Sequence, residues 1–175
     1  MQDDENKKDA DLKEMILDLF YSTKGNLDAV NAALDAKFKI TGERSISLFE
    51  KFIRSRLDMN PKTLRMANLE ITPVEAVYLS QYPGLEGVEV LDLRKNSIGD
   101  TGLDALAHST LLTSLRELDL RNNGITRIGM ESLAKTQVLT QLEKLDLRMN
   151  KLGKRWETKL IETHRFPVLR ELKVG

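Results

Sequence analysis

An α/β solenoid, with a parallel sheet on its concave side, helices outside and an all-helical segment in front, is predicted by three observations. Leu64, Leu91, Leu118, Leu145 and Leu172 recur at a constant interval of 27 residues. Around each leucine, apolar residues alternate with polar ones, the period of a half-buried strand. A second apolar cluster in each unit, Leu103, Leu106 and Ala107 and then Met130, Leu133 and Ala134, has the spacing of one helix face. Ala76, Leu79 and Ser80 form the same cluster one unit earlier. Each unit is therefore a strand, a turn and a helix. None can bury its apolar side alone, so neighbours must stack.

The repeated phrases are VEVLDLRKNSI at 88–98, LRELDLRNNGI at 115–125 and LEKLDLRMNKL at 142–152. All fit the pattern L-x-x-L-x-L-x-x-N-x-L. Two partial copies flank them: TLRMANLEI at 63–71 has Leu69 at the asparagine position, and VLRELKVG at 168–175 stops before it. On these motifs the chain resembles the leucine-rich repeat superfamily, nearest to its long-repeat, ribonuclease-inhibitor-like branch, over about two thirds of its length. The resemblance implies a curved coil whose concave face carries function. It also implies a structural task for Asn96, Asn123 and Asn150, whose side-chain amides satisfy backbone groups where the chain leaves the strand. Leu85, Leu112, Leu139 and Phe166, with Val88, Leu115, Leu142 and Leu169, are expected to fill the core beside the strands.

Residues 1–9 are polar and read as a flexible start; 10–60 read as a cap of three helices, and 61–175 as the repeats. Leu12, Met15, Ile16, Leu19 and Phe20 outline the first amphipathic helix, which Gly25 ends. Asn26 is placed to cap a second helix with Leu27, Val30, Leu34 and Phe38, and Gly42 breaks it. A third runs from about Glu43 to Leu57; Ile46, Leu48, Phe49, Phe52, Ile53 and Leu57 cover so much of its surface that two-sided packing is expected. Asn60 and Pro61 close the segment. Two further readings stand beside the cap: a separate interaction module, and a DNA-binding helix-turn-helix carrying Arg44, Lys51, Arg54 and Arg56. Against the latter, the stretch from Leu34 to Glu43 is long for such a turn, and residues 1–60 hold ten basic and twelve acidic side chains.

Residues flanking the core leucines form columns on the concave face. One is Asp92, Asp119, Asp146 and Lys173; its neighbour is Ala67, Arg94, Arg121 and Arg148; a third is Val90, Glu117, Lys144 and Glu171. Aspartates about 4.8 Å apart repel by roughly 1 kcal/mol per pair in water-like surroundings, so the arginines must offset them. This lattice is either self-neutralising or a docking surface for a partner protein. Asp92, Asp119 and Asp146 would suit a cation only if no arginine stood beside them. In the last unit Trp156 replaces Gly102 and Gly129 and is expected to cover the end of the core. Lys151, Lys154, Arg155 and Lys159 around it make a second candidate patch for phosphate or an acidic partner.

Equal numbers of basic and acidic residues, 27 each, remove any global pull toward nucleic acid or anionic membrane. There is no cysteine, so disulfides and thiolate chemistry are excluded and a reducing cytoplasm fits. No apolar run approaches the ~20 residues of a membrane span, and the start lacks the basic residues of a signal peptide. His108 and His164 stand singly on the helical side, and no nucleophile, metal or phosphate-loop motif is present. The expectation is a non-catalytic scaffold without cofactor or metal, binding an unidentified protein. It is either monomeric or weakly dimeric through the strand edge at Leu172 to Val174, unless the chain is a fragment.

Overall fold

The structure, a computed structural model, describes residues 2–175. Three helices come first: α1 (Gln2–Ser22), α2 (Leu27–Thr41) and α3 (Ile46–Met59). Five short strands follow, β1 (Thr63–Arg65), β2 (Val90–Asp92), β3 (Glu117–Asp119), β4 (Lys144–Asp146) and β5 (Glu171–Lys173). Between them lie α4 (Pro73–Ser80), α5 (Gly99–Ala107), α6 (Arg127–Leu133) and α7 (Arg155–Glu162). The sheet is wholly parallel in the order β1-β2-β3-β4-β5, and Leu64, Leu91, Leu118, Leu145 and Leu172 pair in register across it. One continuous core runs from Leu12 to Val174 between sheet and helices. The architecture is thus the α/β solenoid that the period demands.

The asparagine row does what the strand exits require. The Asn96 Oδ1 accepts from the N–H groups of Leu69 (2.9 Å) and Ile71 (3.1 Å), and its Nδ2 donates to the carbonyls of Met66 (2.9 Å) and Leu93 (2.7 Å). Asn150 repeats this set two periods further on, accepting from Asn123 and Ile125 and donating to Leu120 and Leu147. Asn123 is fully buried and donates to the Leu93 carbonyl at 2.9 Å. A second device was not foreseen. Buried Ser109 and Thr136, one period apart, donate their hydroxyls to the carbonyls of Ser80 and Ala107, both at 2.5 Å. Each satisfies a carbonyl that the end of the preceding helix leaves open.

The N-terminal helices cover the first repeat on two sides. α3 lies against β1, while α1 runs outside across α4 and α5. Tyr78 of α4, fully buried, is the hub of this contact: its ring lies 5.5 Å from Phe20 of α1 and 6.3 Å from Phe49 of α3, and its hydroxyl donates to Asn31 Oδ1 of α2 at 2.7 Å. Arg44 adds a polar clasp, donating to both carboxylate oxygens of buried Glu75 (2.5 and 2.7 Å) and to the Leu69 carbonyl (2.9 Å). Glu75 also closes the capping box of α4 with Thr72. On the outer face Lys13 of α1 forms an ion pair with Asp104 of α5.

Several expectations need correction. α1 begins at Gln2, so residues 2–9, read as a flexible start, lie within its span; the stretch contains neither glycine nor proline. α3 begins at Ile46, because Ser45 caps it by accepting from the Leu48 N–H at 3.2 Å. It packs against both α2 and β1, burying Ile46, Phe49 and Ile53, but the expected core residue Leu48 is 45 % exposed. The expected caps at Asn26 and the glycine stops are present, with Gly25 and Gly42 at φ 74 and 73.

Candidate functional site

The concave face is a shallow groove of about 470 Å³ lined by Arg65, Asp92, Arg94, Glu117, Asp119, Lys144, Asp146, Glu171 and Lys173. Strand pairing brings the first column together as read, and sets Arg65 at its head, so that it runs Arg65, Asp92, Asp119, Asp146, Lys173. The third column is Thr63, Val90, Glu117, Lys144, Glu171. Since the leucines between these positions face the core, all the charges must stand on the groove side.

Arginines hold the aspartate column. Arg121 grips Asp119 through Nη2 at 2.6 Å and Nε at 3.0 Å, and its Nε also lies 3.4 Å from Asp146. Arg148 grips Asp146 in the same way at 2.7 and 3.0 Å. Arg94 is looser, 3.7 Å from Asp92. Asp92 is nearly buried beneath this layer at 9 % exposure. In the third column Lys144 donates to Glu117 at 2.7 Å. The repulsion expected among the aspartates is thus answered within the face, by bidentate pairs whose fork geometry is the strong form of such contacts.

The titration of these groups follows. Burial alone would push the Asp146 carboxyl up, but hydrogen bonds from the Arg148 side chain and backbone, with the charges of Arg148 and Arg121, hold it below the usual aspartate value. Arg121 and Arg148 are in turn raised, foremost by their bonds to Asp119 and Asp146. Asp104 on the outer face is also lowered: burial opposes the shift, and the Lys13 and Ser132 hydrogen bonds overcome it. A carboxylate lowered on folding gives stability that is complete above the unfolded value, about 3.9, and is lost as pH falls through the folded value. Thermal melting is therefore expected to show a fall below about pH 4. In Asp146→Asn that acid-side fall should be smaller, with a lower melting temperature at neutral pH.

A fourth column was overlooked. Lys62, Glu89, Arg116, Glu143 and Arg170 stand one period apart at the entry to the strands and alternate strictly in sign. Lys62 meets Glu89 at 2.7 Å and Arg116 meets Glu143 at 2.6 Å. The 27-residue interval alone would have shown this row.

The remaining candidates fare differently. Trp156 is 2 % exposed, so its ring belongs to the core and offers no stacking face to a ligand; Lys159 Nζ sits 4.2 Å above it. Lys151, Lys154 and Arg155 are exposed around it. Glu157, polar where earlier repeats are apolar, accepts from the Val174 N–H at 3.3 Å. His108 is exposed but not isolated, 3.3 Å from the Asp104 carboxylate, and His164 is exposed. The helix-turn-helix reading is opposed by α3 itself: Phe49 and Ile53 are fully buried, Arg44 is committed to Glu75, and Arg54 to Glu50 at 2.6 Å. Among the described residues no cluster of three or more histidine or acidic side chains is placed to hold a metal ion, and no helix is long and apolar enough to cross a membrane.

Comparison with known proteins agrees with the geometry. The family model of leucine-rich repeats in two copies matches residues 113–154, and a single leucine-rich repeat model matches residues 88–107. No curated protein matches the chain.

Proposed function

Because the chain is a leucine-rich repeat protein, and such repeats generally mediate protein–protein interaction and are typically non-catalytic, we propose that it is a scaffold binding a partner protein through its concave face. The observation that supports this most is the charged ladder in the groove: Asp92, Arg94, Glu117, Asp119, Arg121, Lys144, Asp146 and Arg148 on a continuous sheet. The pairs are held before any partner arrives, so docking costs little side-chain ordering. A partner exchanges its own charges with the ladder and gains orientation and partner choice more than raw affinity.

In this reading residues 61–175 carry binding and the helical segment in front caps them. No cofactor, metal or nucleic acid takes part, and a cytoplasmic setting suits a chain without cysteine. Affinity capture from a native lysate tests it, comparing the intact chain with the combined variant Arg94→Gln, Arg121→Gln, Arg148→Gln, its fold checked by thermal melting. The expected result is a protein retained by the first and reduced at least tenfold on the second. Equal capture by both would move the binding site elsewhere, and recovery of nucleic acid alone would sink the scaffold reading.

A further inference from the structure

Charge in the groove is answered pair by pair along β3 and β4, where Asp119 and Asp146 are each gripped by an arginine and Glu117 by Lys144. The β1–β2 end differs. In the first repeat Arg65 stands in the aspartate column and Ala67 in the arginine column, so the usual pair is missing there. Arg65 and Arg94 both line the groove and are exposed. Among the described residues Arg65 takes part in no ion pair, although strand pairing sets it in register with Asp92. Arg94 reaches Asp92 only at 3.7 Å, and its side chain is 46 % exposed where that of Arg121 is 29 %. Asp92 lies beneath them, nearly buried, and one of its oxygens accepts from the Arg94 N–H at 3.2 Å. The adjoining groove positions Thr63, Val90 and Ala67 are uncharged. Arg65, Arg94 and Asp92 together therefore carry a single net positive charge.

We infer that Arg65 and Arg94 anchor an acidic segment of the partner protein, gripping one aspartate or glutamate carboxylate between them. The inference rests on the concave-face reading and adds the end of the groove that is engaged, the sign of charge it selects, and Arg65 as a residue that decides specificity. Arg65 faces Asp92 across the strands, and Arg94 lies two residues beyond Asp92 on the same strand. Positions one strand across and two residues along stand about 8 Å apart at Cα, a gap that two long guanidinium arms can close on a carboxylate between them. Forming this grip breaks no close ion pair. At Arg121 or Arg148 an incoming carboxylate would have to compete with an aspartate already held by two hydrogen bonds. Charge also selects the ligand: one carboxylate brings the trio to neutrality, whereas a phosphate group of nearly two negative charges would leave an excess above the buried Asp92.

Titration of the isotope-labelled chain with acetylated, amidated tetraglutamate, followed by NMR at low salt, tests this. The Nε–H signals of Arg65 and Arg94 should move and saturate together, and those of Arg121 and Arg148 should move less. Arg65→Gln and Arg94→Gln should each weaken binding by about fivefold, the upper end for one exposed ion pair. Arg65→Glu should turn the preference toward tetralysine. Both positions are exposed, so the fold should persist, which thermal melting verifies. Equal binding of tetraglutamate to Arg65→Gln would overturn the anchor, as would tighter binding of tetralysine to the intact groove, or inorganic phosphate binding the two arginines more tightly than the peptide. A photoreactive residue at Glu117 separates these failures from failure of the concave-face reading. A protein captured in a native lysate by the intact chain and lost on Arg65→Glu supports the anchor. Capture that survives Arg65→Glu overturns the anchor alone, and no capture with Arg65 intact overturns both.

Discussion

Asn96→Ala should lower stability by about 3 kcal/mol and the melting temperature by roughly 6–12 °C. One side chain here serves four backbone groups: the N–H of Leu69 and Ile71, and the carbonyls of Met66 and Leu93. With Asn96 at 8 % exposure, water does not readily replace it, and each abandoned buried group costs about 1–3 kcal/mol, less where the site relaxes. Asn150 has the same set of partners but is only partly buried, so Asn150→Ala should cost less. Asn96→Asp should not rescue, because a carboxylate keeps the acceptor and turns negative oxygens toward two carbonyls. Denaturant unfolding of the three variants measures the order; equal losses at 96 and 150 would mean that burial does not govern the row.

Tyr78→Ala is expected to cost about 4 kcal/mol, the usual range for removing a large buried aromatic side chain. Tyr78 joins all three cap helices to the first repeat, through Phe20, Phe49 and the Asn31 amide. Its loss should therefore loosen the cap before the repeats, seen as early protease cleavage between α1 and α3. Tyr78→Phe keeps the ring and leaves the Asn31 oxygen without its donor, so about 1 kcal/mol is expected. The phenol is pushed well above its ordinary value, foremost by burial and then by the Glu50 charge. A raised value means stability complete below the unfolded pKa, about 10, and lost as pH rises beyond it. Tyr78→Phe should flatten that alkaline loss; an unchanged alkaline melting profile would place its cause elsewhere.

The solenoid was legible because its period is enforced by stacking. A leucine that leaves the register would leave the core, so Leu64 to Leu172 had to recur and the asparagines with them. The concave columns were legible for the same reason, since alternation decides which side chains face the groove. What escaped depended on contacts between distant segments. Nothing in the first helix announces that Lys13 reaches Asp104, or that α1 crosses the outer helices rather than only closing the end. Leu48 carries the apolar spacing of its neighbours and is exposed none the less, because periodicity names a face without saying what covers it. Trp156, by contrast, was legible as a cover for the end of the core, and its 2 % exposure sets aside the alternative of a ligand platform amid the basic residues. The alternating row from Lys62 to Arg170, and the Ser109 and Thr136 pair, were present in the period and were passed over because their residue types change.

The central claim is that the ladder meets a partner, and site-specific photocrosslinking in a native lysate tests it most directly. A photoreactive residue at Glu117 or Lys144, on the groove side, should capture one and the same protein. The same residue at Ile128 or Ile161, exposed on the helical side, should not. Crosslinks formed only from Ile128 or Ile161 would contradict the account and move the binding surface to the outer helices.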